Sequence, residues 1–157
     1  MKKQDIISIL SEVMDPEIPV LSISDLGILR SVDIIDETIH VSITPTYSGC
    51  PAMETIREDI RYALAKHGYR RVEIKQVLYP AWTTDWMTNA GKQKLHAFGI
   101  APPAAHACVH NGNDQPGFCP LCHSTNLEMI SRFGSTSCKA LYRCLDCREP
   151  FDYFKCH

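Results

Sequence analysis

Apolar residues at Ile6, Ile9, Leu10, Val13 and Met14 return at the three-and-four spacing of one helical face, which predicts an amphipathic helix over residues 4–14. Asp15-Pro16-Glu17-Ile18-Pro19 ends it, because each proline steers the residue before it away from the helical region. From Ile28 to Ile35 and from Thr38 to Thr44 the character turns to strand. It is cleanest where Ile39, Val41 and Ile43 fall on one face and His40 and Ser42 on the other, and Asp36-Glu37 supplies a hairpin turn. Pro51 suits the first turn of a second helix, which Met53, Ile56, Ile60 and Leu64 carry to about residue 67 and Gly68 stops. Val72, Ile74 and Leu78 predict a third strand, broken by Pro80. TTDWMTNAGKQKLHAF then predicts a third helix, with Thr83 or Thr84 as its cap and Gly99 as its stop. The order α-β-β-α-β-α is that of an α+β domain with helices packed on a small mixed sheet.

Residues 99–117 mix proline, alanine, glycine and polar residues without a period, so the chain reads as a first domain over 1–102, a linker over 103–116 and a second unit over 117–157. That second unit is too short for an independent apolar core and needs a staple. Cys119-Pro-Leu-Cys122 and Cys144-Leu-Asp-Cys147, with 21 residues between the pairs, can supply one: four thiolates complete a tetrahedral metal shell. With short strands expected at NLEMISRF, KALYR and PFDYF, the tail reads as a β zinc ribbon with a structural zinc ion. A rubredoxin-like iron centre or a redox dithiol would use the same sulfurs. Cys108, Cys138 and Cys156, with His106, His110, His123 and His157 nearby in sequence, read first as packed or exposed residues and second as substitute ligands.

The chain has 157 residues, 45% of them apolar, and a formal charge of −2. Residues 1–102 carry eleven Lys/Arg against thirteen Asp/Glu, and residues 117–157 carry five against four, so no basic stripe is offered to nucleic acid. The N-terminal MKKQDIISIL is too short and polar for a leader's apolar stretch, and no run approaches the roughly 20 apolar residues of a membrane span. A cytoplasmic setting follows as the expectation, and there eight cysteines read as ligands or reactive thiols before they read as disulfides.

Cys50, in TPTYSGCP over 44–51, falls at the start of the second helix, where unpaired N–H groups and the positive dipole end favour a thiolate. Gly49 would allow another group to approach closely, while the plainer reading makes Cys50 a small buried hydrophobe. Asp15, Glu17 and His40 could join it, though the DPE run is equally a helix-ending turn with solvated acids. Trp82 and Trp86, four apart on the third helix, read as core packing. No phosphate loop, no serine triad that spacing can pick out and no pair of EXXH motifs for a di-iron centre is present.

Taken together, DPEIPVLSISDLGI (15–28), TPTYSGCP (44–51), WTTDWMT (82–88), GIAPP (99–103) and FGSTSCKALYRCLDCREPFDYFKC (133–156) resemble the PaaD family, the D component of phenylacetyl-CoA epoxidase systems, over nearly the whole chain. The first domain resembles the iron–sulfur assembly domain shared with SufT and the cytosolic iron–sulfur targeting factors. That resemblance places the family's motif cysteine on Cys50 and its DPE signature on Asp15, Pro16 and Glu17. In such systems a di-iron oxygenase and a flavin and iron–sulfur reductase epoxidise the ring of phenylacetyl-CoA. The resemblance implies a non-catalytic accessory component that partners those oxygenase and reductase subunits. Its implied role is maturation, with iron or an Fe–S cluster held transiently at Cys50 and with Asp15 and Glu17 at the same site. One thiolate alone holds a cluster weakly, which predicts a homodimer or a bridged complex. Two rivals stand beside this reading: a stoichiometric subunit that bridges oxygenase and reductase, and a thiol redox protein pairing Cys50 with Cys138 or Cys156, whose Cα atoms would need to lie within about 7 Å.

Overall fold

A computed structural model describes residues 2–103 and 114–155. The chain divides into two units between Trp82 and Thr83, well before the boundary expected at residue 102.

In the first unit, helix α1 (Lys3–Leu10) buries Ile6 and Leu10. It stops four residues short of its expected end because the next residues find other partners. The Val13 carbonyl accepts from Ile23 N–H at 2.9 Å, Met14 bridges Ser22, and Asp15 N–H donates to the Leu21 carbonyl at 2.8 Å. Residues 13–28 thus form an irregular layer, yet Ile18, Leu21, Ile23, Leu26 and Ile28 are all buried. Trp82 closes over this layer, its indole N–H donating to the Leu26 carbonyl at 2.7 Å.

Strands β1 (Leu29–Ile35) and β2 (Thr38–Ile43) form the expected antiparallel hairpin. Its turn residues Asp36 and Glu37 both have positive φ, 47° and 61°, which matches the twist of a two-residue hairpin loop. Helix α2 (Ala52–Lys66) then crosses to β3 (Val72–Gln76), which pairs parallel to β2, so the sheet order is β1-β2-β3. The period-two face Ile39, Val41 and Ile43 is buried, as are Met53, Ile56, Ile60 and Leu64 on α2. Strand β3 ends before Leu78, which is exposed, so Leu78 is not the strand residue expected.

The expected third helix is two elements in the second unit. A 3-10 turn (Thr84–Trp86) is capped by Thr83, and α3 (Asn89–Ala97) is capped by Thr88, whose hydroxyl accepts from Gly91 N–H at 2.9 Å. Met87 and Thr88 are extended between them, so Trp82 and Trp86 share no helix. Gly99, at φ 84°, ends α3. Strand β4 (Ile100–Ala101) pairs parallel with β7 (Pro150–Phe154). With β6 (Lys139–Cys144) and β5 (Leu127–Ser131) they make a sheet in the order β4-β7-β6-β5. Ala101, Cys119, Ala140, Tyr142, Cys144, Phe151 and Tyr153 form its core, so the cysteine-rich tail is helped by residues from before the expected linker. Most of that linker, with His106, Cys108 and His110, lies outside the described residues, as do Cys156 and His157. Among the described residues no helix is long and apolar enough to cross a membrane.

Candidate functional site

The two CxxC segments build the same turn twice. In each, the first cysteine's N–H donates to the carbonyl five residues on, Cys119 to Ser124 at 2.8 Å and Cys144 to Glu149 at 3.0 Å. In each, the residue after the second cysteine takes a left-handed conformation, His123 at φ 63° and Arg148 at φ 64°. A non-glycine residue there costs on the order of 1 kcal/mol, which the surrounding contacts must offset. Asp146 joins the turns: Asn126 Nδ2 donates to it at 3.0 Å, and the Ser124 hydroxyl makes a short bond to its other oxygen. These two donors hold the Asp146 carboxyl below its ordinary range.

The four sulfurs lie within 4.8 Å of one another, with Cys119 to Cys147 at 3.8 Å and Cys122 to Cys144 at 3.5 Å. A tetrahedron with metal–sulfur bonds of about 2.3 Å has edges near 3.8 Å, so the spacing fits one tetrahedral ion. Backbone N–H groups support the sulfurs. Those of Cys147 and Asp146, with neighbouring thiols, outweigh burial at Cys144 and bring it down to about 7. At Cys147 the Glu149 N–H pulls downward, but burial and the other three sulfurs push the thiol up to about 12. Four negative sulfurs therefore do not coexist near neutral pH unless a cation balances them, which is the requirement a divalent ion meets. With four protein donors the shell has no open position.

Among the described residues, the leftover Cys138 and His123 do not extend this cluster. Cys138 is buried, its sulfur 2.9 Å from the Thr136 hydroxyl. His123 stacks on His96, with ring centroids 5.7 Å apart, and packs against Phe118. Among the described residues, the four cysteines are the group of three or more side chains whose donor atoms gather closely enough for a metal.

Cys50 lies at the C-terminal end of β2, in the loop that enters α2. Its N–H donates to the Tyr47 carbonyl and its own carbonyl accepts from Met53 N–H, both at 3.4 Å. Pro51, not Cys50, occupies the cap position of α2, so the cysteine stands one residue outside the helix. Gly49 takes φ 74°, and a side chain added there would meet open space; the position calls for glycine's backbone freedom rather than for close approach.

The chain brings Asp15 and Glu17 to this thiol from more than thirty residues upstream. Asp15 is only 6% exposed, and its Oδ1 accepts from Glu17 N–H and Ile18 N–H, each at 2.8 Å. It is a buried turn-former rather than a solvated acid. Glu17 Oε1 receives the Tyr47 hydroxyl at 3.5 Å. Burial chiefly pushes the Cys50 thiol up. The Ala52 N–H and Tyr47 hydroxyl oppose this, while the charges of Glu17 and Asp15 add to it. The expectation of a thiolate at rest is therefore corrected: the helix end does lower the value, but burial and two carboxylates outweigh it. His40 does not join, since its Nδ1 pairs with Glu73 at 3.3 Å across β2 and β3. Tyr47 is the contact that sequence reasoning missed, although it sits in the same loop three residues before Cys50.

Two family models match the chain. Residues 3–75 match the iron–sulfur cluster assembly protein family, and residues 103–155 match the PaaD zinc beta ribbon domain. A protein from Escherichia coli (strain K12), named as a candidate D component of 1,2-phenylacetyl-CoA epoxidase, is 51% identical over 152 residues, 97% of this chain and 92% of its own. An Fe–S protein maturation auxiliary factor from Porphyromonas gingivalis (strain W83) is 36% identical over 95 residues, 59% of this chain and 90% of its own. Among solved structures, a domain of unknown function from Bacillus anthracis is similar at a TM-score of 0.56 and 25% identity, covering 59% of this chain and 90% of its own.

Proposed function

We propose, from the premise that the chain belongs to the PaaD family of 1,2-phenylacetyl-CoA epoxidase components, that it matures the metal centres of that epoxidase rather than turning over its substrate. Iron, as an ion or as an Fe–S cluster, is the cargo, and Cys50 is its transient ligand. The observation that carries this reading is the setting of Cys50: a half-buried thiol at the mouth of a helix, with Asp15 and Glu17 close enough to govern its charge. Kept as a thiol, the sulfur is a poor nucleophile and resists adventitious oxidation. An arriving cation reverses the balance, because the carboxylates that disfavour a lone thiolate favour a positive charge beside it. The proton leaves as the metal–sulfur contact forms and returns as the cargo departs, so holding is reversible. Glu17 stands nearest in the chain of contacts to accept that proton, through the Tyr47 hydroxyl.

The four-cysteine ribbon has a different task in this reading. Cys119, Cys122, Cys144 and Cys147 hold one zinc ion, whose chemistry is structural: it cross-links the two turns and carries no substrate. The turns expose Leu121 and Leu145, apolar contacts for docking on an oxygenase or reductase component in a reducing, cytoplasmic setting.

Co-expression of the epoxidase components with Cys50→Ser tests the proposal. The variant should fold, retain its zinc and lower the iron or cluster content of the oxygenase or reductase. Full iron loading with Cys50→Ser would defeat the maturation role and favour a bridging component that handles no metal.

A further inference from the structure

We infer that the outer face of α2 is where a second copy of this chain docks, as an antiparallel helix pair centred between Tyr62 and Ala63. A groove of about 270 Å³ runs between the end of α1 and α2, lined by Ile9, Val13, Met14, Tyr62 and Ala63, with charged residues at its margins. Tyr62 is 69% exposed and Met14 41%, so the groove presents apolar surface that the chain itself leaves uncovered. Aromatic residues in such positions are enriched at protein interfaces.

The charges on α2 choose the occupant. Asp59 lies one turn before the Tyr62–Ala63 midpoint and Lys66 one turn after it, and neither makes an ion pair within the described residues. An antiparallel copy about that midpoint sets Asp59 against Lys66 of the second copy, and Lys66 against its Asp59. It also brings the two Tyr62–Ala63 steps together at the centre of the seam. One patch is thus complementary to itself, as a two-fold interface requires. A parallel copy would oppose Asp59 to Asp59 and Lys66 to Lys66, so the same charges that favour one orientation penalise the other. The opposed helix dipoles act in the same direction.

The pairing bears on the cargo, and this consequence alone rests on the maturation reading. Cys50 precedes the midpoint by about twelve residues, so at a rise of about 1.5 Å per residue the two thiols stand roughly 37 Å apart along the pair. No cluster can span that distance, and the second soft ligand for cargo at Cys50 comes from the client rather than from the second copy.

Sedimentation equilibrium of the full chain from micromolar to millimolar concentration tests the interface. The expected result is a dimer that weakens with added salt. Asp59→Lys alone and Lys66→Asp alone should each weaken it by about tenfold or more. The double variant Asp59→Lys/Lys66→Asp should restore it, which also shows that the single variants failed through charge rather than misfolding. A chain that stays monomeric throughout, or a dimer indifferent to the single reversals, overturns the inference. Iron delivery to the client by the charge variants separates the two readings: delivery lost with Cys50→Ser but kept in a monomeric charge variant leaves the maturation role standing.

Discussion

Replacing Asp15 by alanine separates a carboxylate that builds a turn from one that holds metal. The side chain is 6% exposed and one of its oxygens accepts two backbone N–H groups, those of Glu17 and Ile18, at 2.8 Å each. Bonds to an ionised acceptor contribute about 1.5–3 kcal/mol apiece, and two bonds to one oxygen are less than additive, so Asp15→Ala should cost about 3 kcal/mol. Asp15→Asn keeps an oxygen at the same place and should cost about 1 kcal/mol. With a urea slope of about 1.5 kcal/mol/M, the midpoints should fall by roughly 2 M and less than 1 M respectively. The assay is equilibrium unfolding followed by Trp82 emission in a Trp86→Phe background, which places the reporter in the unit that carries Asp15 and avoids assuming that both units melt together. A midpoint for Asp15→Ala within about 0.5 M of the parent would refute the turn argument. An Asp15→Asn variant of full stability that no longer loads its client would instead assign the carboxylate to the cargo.

Two further outcomes are expected from the same geometry. Glu17→Gln removes a negative charge that pushes the Cys50 thiol up, so the thiolate fraction at a given pH rises and iodoacetamide should alkylate Cys50 faster. The pH–rate profile should move toward lower pH, and a shift toward higher pH would contradict the electrostatic reading. For the ribbon, the full chain should retain one divalent ion, lost in Cys144→Ser but kept in Cys50→Ser. Protons compete for the same sulfurs, so retention should weaken as pH falls, and atomic absorption after dialysis at graded pH reads this directly.

What the sequence reveals is what local spacing encodes. The Asp36-Glu37 hairpin, the buried face of α2 and the paired CxxC turns each lie within a few residues of chain, and each is found where its pattern places it. What stays hidden depends on distant partners. Residues 15–28 have no period because their order comes from cross-links such as Asp15 N–H to Leu21 and Trp82 to Leu26, not from a helix or a strand. The expected third helix is too long because Thr83 and Thr88 are both good caps, and only the extended Met87 between them decides which one starts α3. The charge state of Cys50 escapes the sequence for a similar reason: the helix end is local, whereas Asp15 and Glu17 arrive through the fold.

Strand β4 is only two residues long, yet it bears on how the tail can be moved between proteins. Ile100 and Ala101 cover the outer edge of β7, and they precede the segment that matches the ribbon family. A ribbon excised at residue 103 would uncover the edge of β7 at Asp152 and Tyr153, an open template onto which a passing extended chain can add. The portable module begins upstream of its cysteines, and a graft that omits those two residues should aggregate even with its metal in place.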